Sequence, residues 1–130
     1  MSSYAEIHKI YKLSGSTFPS GIRISRCGNF FVLIANSHNV YRDEILGEKM
    51  LYMGHGQKGD QIMWRDNKKL NDAPQKTLCV VYTKRDGKLF FKGLYYKDGQ
   101  TLQKDYDNRK VFLFPLTKVD NQLLRRALNQ

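Results

Sequence analysis

Apolar and polar positions along the chain change period twice. Near the N-terminus Ser3-Tyr4-Ala5-Glu6 reads as a capping box, with Ser3 as cap and Glu6 reaching back. Ile7, Ile10, Tyr11 and Leu13 then form a stripe at helical spacing, which Ser14-Gly15-Ser16 ends. Pro19-Ser20-Gly21 marks a loop. From Ile22 the period becomes that of strands. Phe30-Phe31-Val32-Leu33-Ile34 is apolar without a break and predicts a strand buried on both faces. After the polar run Asn36-Ser37-His38-Asn39, Met50 to Met53 predicts a short strand that Gly54, Gly56 and Gly59 interrupt. Asn67 to Ala73 predicts a short helix stopped by Pro74.

The second half reads as a meander. Thr77 to Tyr82 and Leu89 to Tyr96 predict strands joined by a tight Asp86-Gly87 turn, and Asp98-Gly99 marks another turn. Val111 to Leu116 predicts a last strand whose Pro115 points to an edge or an end. Asp120 caps a final helix carrying Leu123, Leu124, Ala127 and Leu128 on one stripe. Five to seven short strands with short flanking helices predict an α+β domain built on a twisted, partly closed β-barrel. No repeat or linker divides the 130 residues, so one domain is expected to fill 1–130.

Composition adds a partner class. Lys and Arg number 22 against 12 Asp and Glu, a net charge of +10. Such an excess favours a polyanion, because each phosphate contacted releases condensed counterions. Eight Tyr, seven Phe and Trp64 supply planar surfaces for packing or for stacking on bases. Cys27 and Cys79 form no CxxC and no Cys/His cluster, so neither a metal nor another cofactor is expected. Two cysteines without a secretory leader predict a reduced intracellular setting, cytoplasm, nucleoid or nucleus. The longest apolar run, Phe30 to Ala35, is too short to span a membrane.

The segment from Tyr41 to Leu70 is the most distinctive. It contains Tyr41-Arg42-Asp43-Glu44, then Tyr52-Met53-Gly54-His55-Gly56-Gln57-Lys58-Gly59-Asp60-Gln61, then Asn67-Lys68-Lys69-Leu70. This resembles the SRA (SET- and RING-associated, or YDG) family, particularly the versions in modification-dependent bacterial restriction enzymes. In that family a Tyr with a nearby acid precedes Tyr-x-Gly-x-Gly-x-x-Gly-Asp, and Asn-x-x-Leu follows. Gly21-Ile22, the strands from Thr77, Lys92-Gly93 and Val111 to Phe114 fall in the family's order, so the resemblance runs from about residue 20 to 117.

The resemblance implies a PUA-like SRA fold and a reader of 5-modified cytosine, 5-methylcytosine or 5-hydroxymethylcytosine, in duplex DNA. A base swung out of the helix needs planar side chains in place of its lost stacking, an acceptor for its N4 amine, and apolar room for its 5-substituent. Tyr41 and Tyr52 match the two stacking tyrosines. The residues alone favour two core tyrosines of a β domain. Asp43 matches the N4 acceptor at the Tyr-x-Asp spacing of bacterial relatives, and Glu44 stands at the longer offset of the eukaryotic pattern. Met53 replaces a frequent Thr. Its side chain cannot donate a hydrogen bond, but its backbone, its adaptable thioether and the neighbouring Gly54 can meet the base. Arg42, Lys58, Arg65, Lys68 and Lys69 are candidates for phosphates, and His38, His55 and Gln57 for the backbone or groove. Asp60, Gln61 and Asn67 are expected to organise the loop. Between Gly59 and Asn67 there is no room for the long finger loop of eukaryotic members. His8, His38 and His55 do not form an HNH set, Glu48-Lys49 is not a carboxylate-nuclease motif, and no Gly-x-Ser-x-Gly occurs, so no catalytic centre is expected. Enzymes that carry this domain keep the nuclease in a separate domain or subunit. A barrel binding RNA or a modified RNA base, the recognition domain of such a nuclease, a compact nuclease and a structural module remain alternatives.

Overall fold

The computed structural model describes residues 4–11, 21–26, 28–35, 49–55, 59–106 and 108–119. Its elements run α1 (Tyr4–Tyr11), β1 (Ile22–Ile24), β2 (Phe30–Ala35), β3 (Lys49–Met53), α2 (Arg65–Asp72), β4 (Leu78–Arg85), β5 (Lys88–Lys97), β6 (Leu102–Tyr106) and β7 (Arg109–Lys118). The strands form one 7-stranded sheet in the order β1-β2-β4-β5-β7-β3, with β6 also paired to β7. Among the described strands only β2 and β4 pair in parallel, Phe30 opposite Leu78 through Ala35 opposite Thr83. The remaining pairs are antiparallel.

The apolar run of β2 is covered on both faces, as expected of a strand with a parallel partner. Phe31, Leu33 and Ala35 join an inner cluster with Ile22, Met50, Tyr52, Leu70, Cys79, Val81, Tyr95, Phe114 and Leu116. Val32 and Ile34 point the other way, to Ile7 of α1, Val80, Tyr82 and Leu89. The sheet curls into a half-barrel, and Tyr52 ties its two ends together. Its hydroxyl donates to the Ile34 carbonyl at 3.0 Å and to the Gly21 carbonyl at 3.4 Å, carrying β3 across to β2 and the approach to β1. Leu70 inserts α2 into the inner cluster and is wholly buried. A buried Leu contributes about 1.5–3 kcal/mol to holding the helix there.

Four expectations change. The α1 stripe is narrower than predicted: Ile7 is buried, but Ile10 is 63% exposed. Tyr11, four residues after Ile7, keeps the face, and its hydroxyl meets that of Tyr82 at 2.9 Å. The Asn67 helix begins earlier, at Arg65, and gives way at Ala73, which is extended (φ −63°, ψ 143°) as the following Pro74 requires. Strand β6 shows no apolar alternation because every residue in it is exposed. It exists through its ladder to β7, Leu102 opposite Leu113 through Tyr106 opposite Arg109. Pro115 stands neither at an edge nor at an end. On one side of β7, Leu51 of β3 faces it; on the other, β5 pairs residues 116–118 and β6 pairs 109–113. The missing N–H falls at the seam between β5 and β6, where no ladder bond is lost, and the Pro115 carbonyl accepts from Asp98 N at 3.0 Å. The predicted Asp86-Gly87 turn is present, both residues at positive φ (52° and 74°) as a type I′ hairpin needs. Leu13, the Ser3 cap and the helix expected after Asp120 lie outside the described residues.

Candidate nucleic-acid interface

Where β3 ends, the chain turns into the glycine-bearing segment, and two buried amide side chains and one exposed carboxylate hold it. Gly54 N donates to the Phe112 carbonyl at 2.9 Å, the last ladder bond between β3 and β7. Beyond it the strands part, and the Gln61 carboxamide bridges the gap. Gln61 Nε2 donates to the Gly54 carbonyl at 2.7 Å, and its Oε1 accepts from Phe112 N at 2.8 Å. Asn67, 2% exposed on the first turn of α2, grips the next residue from both sides. Its Oδ1 accepts from His55 N at 2.7 Å, and its Nδ2 donates to the carbonyls of His55 (2.9 Å) and Ile62 (3.0 Å). Asp60 Oδ1 accepts from Lys110 N, and Gln61 N donates to the Lys110 carbonyl, both at 2.8 Å. These bonds satisfy backbone groups that neither a helix nor a ladder serves. They fix 52–55 and 59–67 to β7 as one unit. A glycine is needed at 54 for close approach: a Cβ there would lie 2.7 Å from Asn67 Oδ1 and 3.1 Å from Gln61 Oε1.

Alternation along β3 divides the candidate recognition residues. Met50 and Tyr52 face the inner cluster, whereas Leu51 and Met53 pack with Val111 and Leu113 on the other face. The Met53 thioether therefore does not share a face with the Tyr52 ring, which corrects the expectation that both line one pocket. The Met53 backbone remains as a recognition group. Because Gly54 bonds Phe112, Met53 is in a non-hydrogen-bonded position opposite Leu113, and its N–H and C=O point away from β7 along the outer edge of β3. The Tyr52 ring is wholly enclosed. The sequence allowed a pocket wall or a core tyrosine; here the Tyr52 side chain packs within the inner cluster.

On the outside of the unit, His55, Ile62, Trp64, Arg65, Lys68 and Lys69 are exposed. Trp64 is extended (φ −147°, ψ 158°) and Arg65 is left-handed (φ 49°), a costly conformation for a side-chain-bearing residue that turns the ring outward. The Arg65 guanidinium stacks 4.4 Å from the centre of that ring. Ile62 is 69% and Trp64 61% exposed, an apolar ridge on a rigid loop that sequence reading missed. Two large apolar residues beside Arg65 were the available signal. Lys68 pairs with Asp72 at 3.0 Å, and that hydrogen bond, followed by one from Asn71, lowers the Asp72 pKa. At the other end of α2, Lys97 is buried and its Nζ donates to the carbonyls of Asn71 (2.6 Å) and Ala73 (2.7 Å), serving groups the helix leaves unpaired. Desolvation lowers its pKa, against the opposing influence of Cys79 and Asp72. Among the described residues no three of His, Cys, Asp or Glu gather as a metal site would require, and no helix is long and apolar enough to cross a membrane. His38, Tyr41, Arg42, Asp43, Glu44, Gln57 and Lys58 lie outside the described residues.

A family model described as "ScoMcrA-like, SRA domain" matches residues 2–126. The chain belongs to this SRA family. Solved structures agree with the fold. The SUVH5 SRA domain in complex with methylated CHH DNA superimposes with a TM-score of 0.67 at 17% identity, covering 92% of this chain and 85% of that one. A structure of the sulfur-binding and SRA domains of ScoMcrA with phosphorothioated DNA gives 0.62 at 17% identity, covering 92% of this chain and 38% of that one. SUVH6 of Arabidopsis thaliana, in complex with SAM, gives 0.59 at 20% identity over 92% of this chain and 25% of that one. No curated protein sequence matches this SRA domain.

Proposed function

We propose that this SRA domain reads a 5-modified cytosine, 5-methylcytosine or 5-hydroxymethylcytosine, in duplex DNA by flipping the base into the half-barrel. The observation that carries the reading is the Gly54–Gln61–Asn67 clamp. It holds the Tyr52–His55 segment rigid at the outer edge of the sheet, in a family whose solved members include SUVH5 SRA bound to methylated and to hydroxymethylated DNA. In this reading Tyr41 and Tyr52 stack on the base, and Asp43, with Glu44 beside it, accepts from the cytosine N4 amine. The Met53 backbone meets the base at the outer edge of β3, beside Gly54. Entry of the base displaces part of the inner cluster that now encloses Tyr52. Stacking on aromatic rings, worth about 1–3 kcal/mol per base, offsets the few kcal/mol of unstacking. Arg42, Lys58, Arg65, Lys68 and Lys69 hold phosphates. His38, His55 and Gln57 lie at the groove, where the Ile62–Trp64 ridge adds an apolar contact to sugars or exposed bases.

The chemistry lies elsewhere in this reading. ScoMcrA is described as a type IV phosphorothioation-dependent restriction endonuclease, and this chain covers 23% of it. The domain acts as the recognition part of a modification-dependent nuclease, or beside one as a partner subunit.

Fluorescence anisotropy on matched duplexes carrying cytosine, 5-methylcytosine or 5-hydroxymethylcytosine at one position, at two salt concentrations, tests the proposal. A preference for one modified duplex that survives the higher salt is expected. Equal, steeply salt-dependent binding to all three would reduce the site to a basic surface and overturn the base-reading assignment.

A further inference from the structure

The β4–β5 hairpin carries a second set of cations and rings that the base pocket does not use. Lys84, Arg85, Lys88 and Lys92 are all exposed, and between residues 84 and 92 only Asp86, in the turn itself, opposes them. The Arg85 guanidinium stacks 5.1 Å from the centre of Phe90. Phe91 is 58% exposed, its ring edge-on against Tyr82 at 5.7 Å. A register shift aims one of the cations. Val81 faces Gly93 and Tyr82 faces Phe91, so Lys92 is the extra residue of a bulge, and bulges redirect the side chains they carry.

The hairpin also reaches beyond the body of the sheet. On its outer side β5 pairs with β7 only from Tyr95 to Lys97, so its first half, with Lys88 and Lys92, extends past that ladder. The parallel pairing of β2 and β4 decides which end this is. Ala35, the last residue of β2, faces Thr83, three residues before the Asp86-Gly87 turn. The hairpin therefore stands at the end of the sheet where β2 stops and β3 begins, while Gly54 leaves β3 at the opposite end and α2 with Lys68 and Lys69 packs beside β1 and β7.

We infer that the β4–β5 hairpin is a second DNA contact, gripping a sugar–phosphate backbone of the duplex that the domain reads. Four cations against one acid fit a polyanion, and Arg85 is held in place by its ring. The inference rests on the DNA-binding part of the proposed function and not on its pocket.

The test compares two double variants that each remove two positive charges: Lys88→Gln with Lys92→Gln on the hairpin, and Lys9→Gln with Lys104→Gln on α1 and β6. Binding is measured on unmodified and 5-modified duplexes across a salt series. For the hairpin variant both affinities fall together, on the order of tenfold at low salt. The log–log salt slope becomes shallower by about 0.9 for each phosphate no longer neutralised, or about 2 for the pair of lysines. The ratio between modified and unmodified duplexes stays unchanged. A loss no larger than that of the α1/β6 variant overturns the inference, as does a loss confined to an RNA duplex. Lysine acylation read by mass spectrometry provides a readout on the unaltered protein: DNA protects Lys88 and Lys92 if the hairpin touches it, and equal labelling with and without DNA refutes the inference. If the pocket reading alone is wrong, the modified-to-unmodified ratio is one in every variant, while the hairpin slope change persists on unmodified DNA.

Discussion

Gly54 and Asn67 form a pair whose coupling is calculable. Asn67→Ala removes hydrogen bonds to His55 N, His55 O and Ile62 O from a residue 2% exposed. At a net ~1 kcal/mol each, with some of the freed groups reached by water, the loss is about 2–4 kcal/mol. For a domain of this size that lowers Tm by roughly 8–15 °C. Gly54→Ala places a Cβ 2.7 Å from Asn67 Oδ1, an overlap that must push the amide away. Overpacking of that kind costs about 1–3 kcal/mol and here also weakens the Asn67 bonds. With Asn67→Ala in the background most of that collision is gone, leaving only the 3.1 Å approach to Gln61 Oε1. The double variant should therefore be less destabilised than the two singles added, by at least about 1 kcal/mol. Urea unfolding followed by circular dichroism on all four proteins gives the cycle. Losses that add to within ~0.5 kcal/mol, or an Asn67→Ala variant as stable as the parent, would refute the clamp.

Tyr52→Phe should lose about 1 kcal/mol of stability, because the Ile34 carbonyl loses its donor, yet keep any preference for modified DNA, whereas Tyr52→Ala should abolish that preference; melting curves and anisotropy together separate the two. Trp64→Ala should leave stability within about 0.5 kcal/mol, since the ring is 61% exposed, but weaken DNA binding measurably; unchanged binding would remove the ridge from the interface. Lys68→Ala should weaken modified and unmodified duplexes alike and reduce the salt slope by about 1. Burial pushes the Cys79 thiol up from 9.0 to about 12, so the fold retains a proton that the unfolded chain gives up above pH 9. Stability attributable to Cys79 is thus complete below pH 9 and falls by about 1.4 kcal/mol per pH unit as pH rises towards 12. Cys79→Ala should flatten the alkaline limb of a stability–pH curve, and an unchanged limb would contradict this assignment.

What the sequence determined by itself was local. The Asp86-Gly87 hairpin, the buried run of β2 and the end of α2 at Pro74 depend on neighbours within a few residues, and propensity and period act over that range. The SRA pattern from Tyr52 to Leu70 was equally legible, because its glycines and amides are consecutive features of one loop. Tertiary structure decided everything that needed a distant partner. β6 is exposed at every position and is a strand only because β7 lies beside it. Pro115 is tolerated inside the sheet only because β5 and β6 leave a seam opposite it. Gln61 completes a ladder with Phe112, 51 residues away, and Lys97 serves α2 carbonyls 24 and 26 residues back. Backbone groups left unpaired by helix or strand must find a donor or acceptor wherever the fold brings one. That choice is made by the packing of the whole chain, which no local window contains.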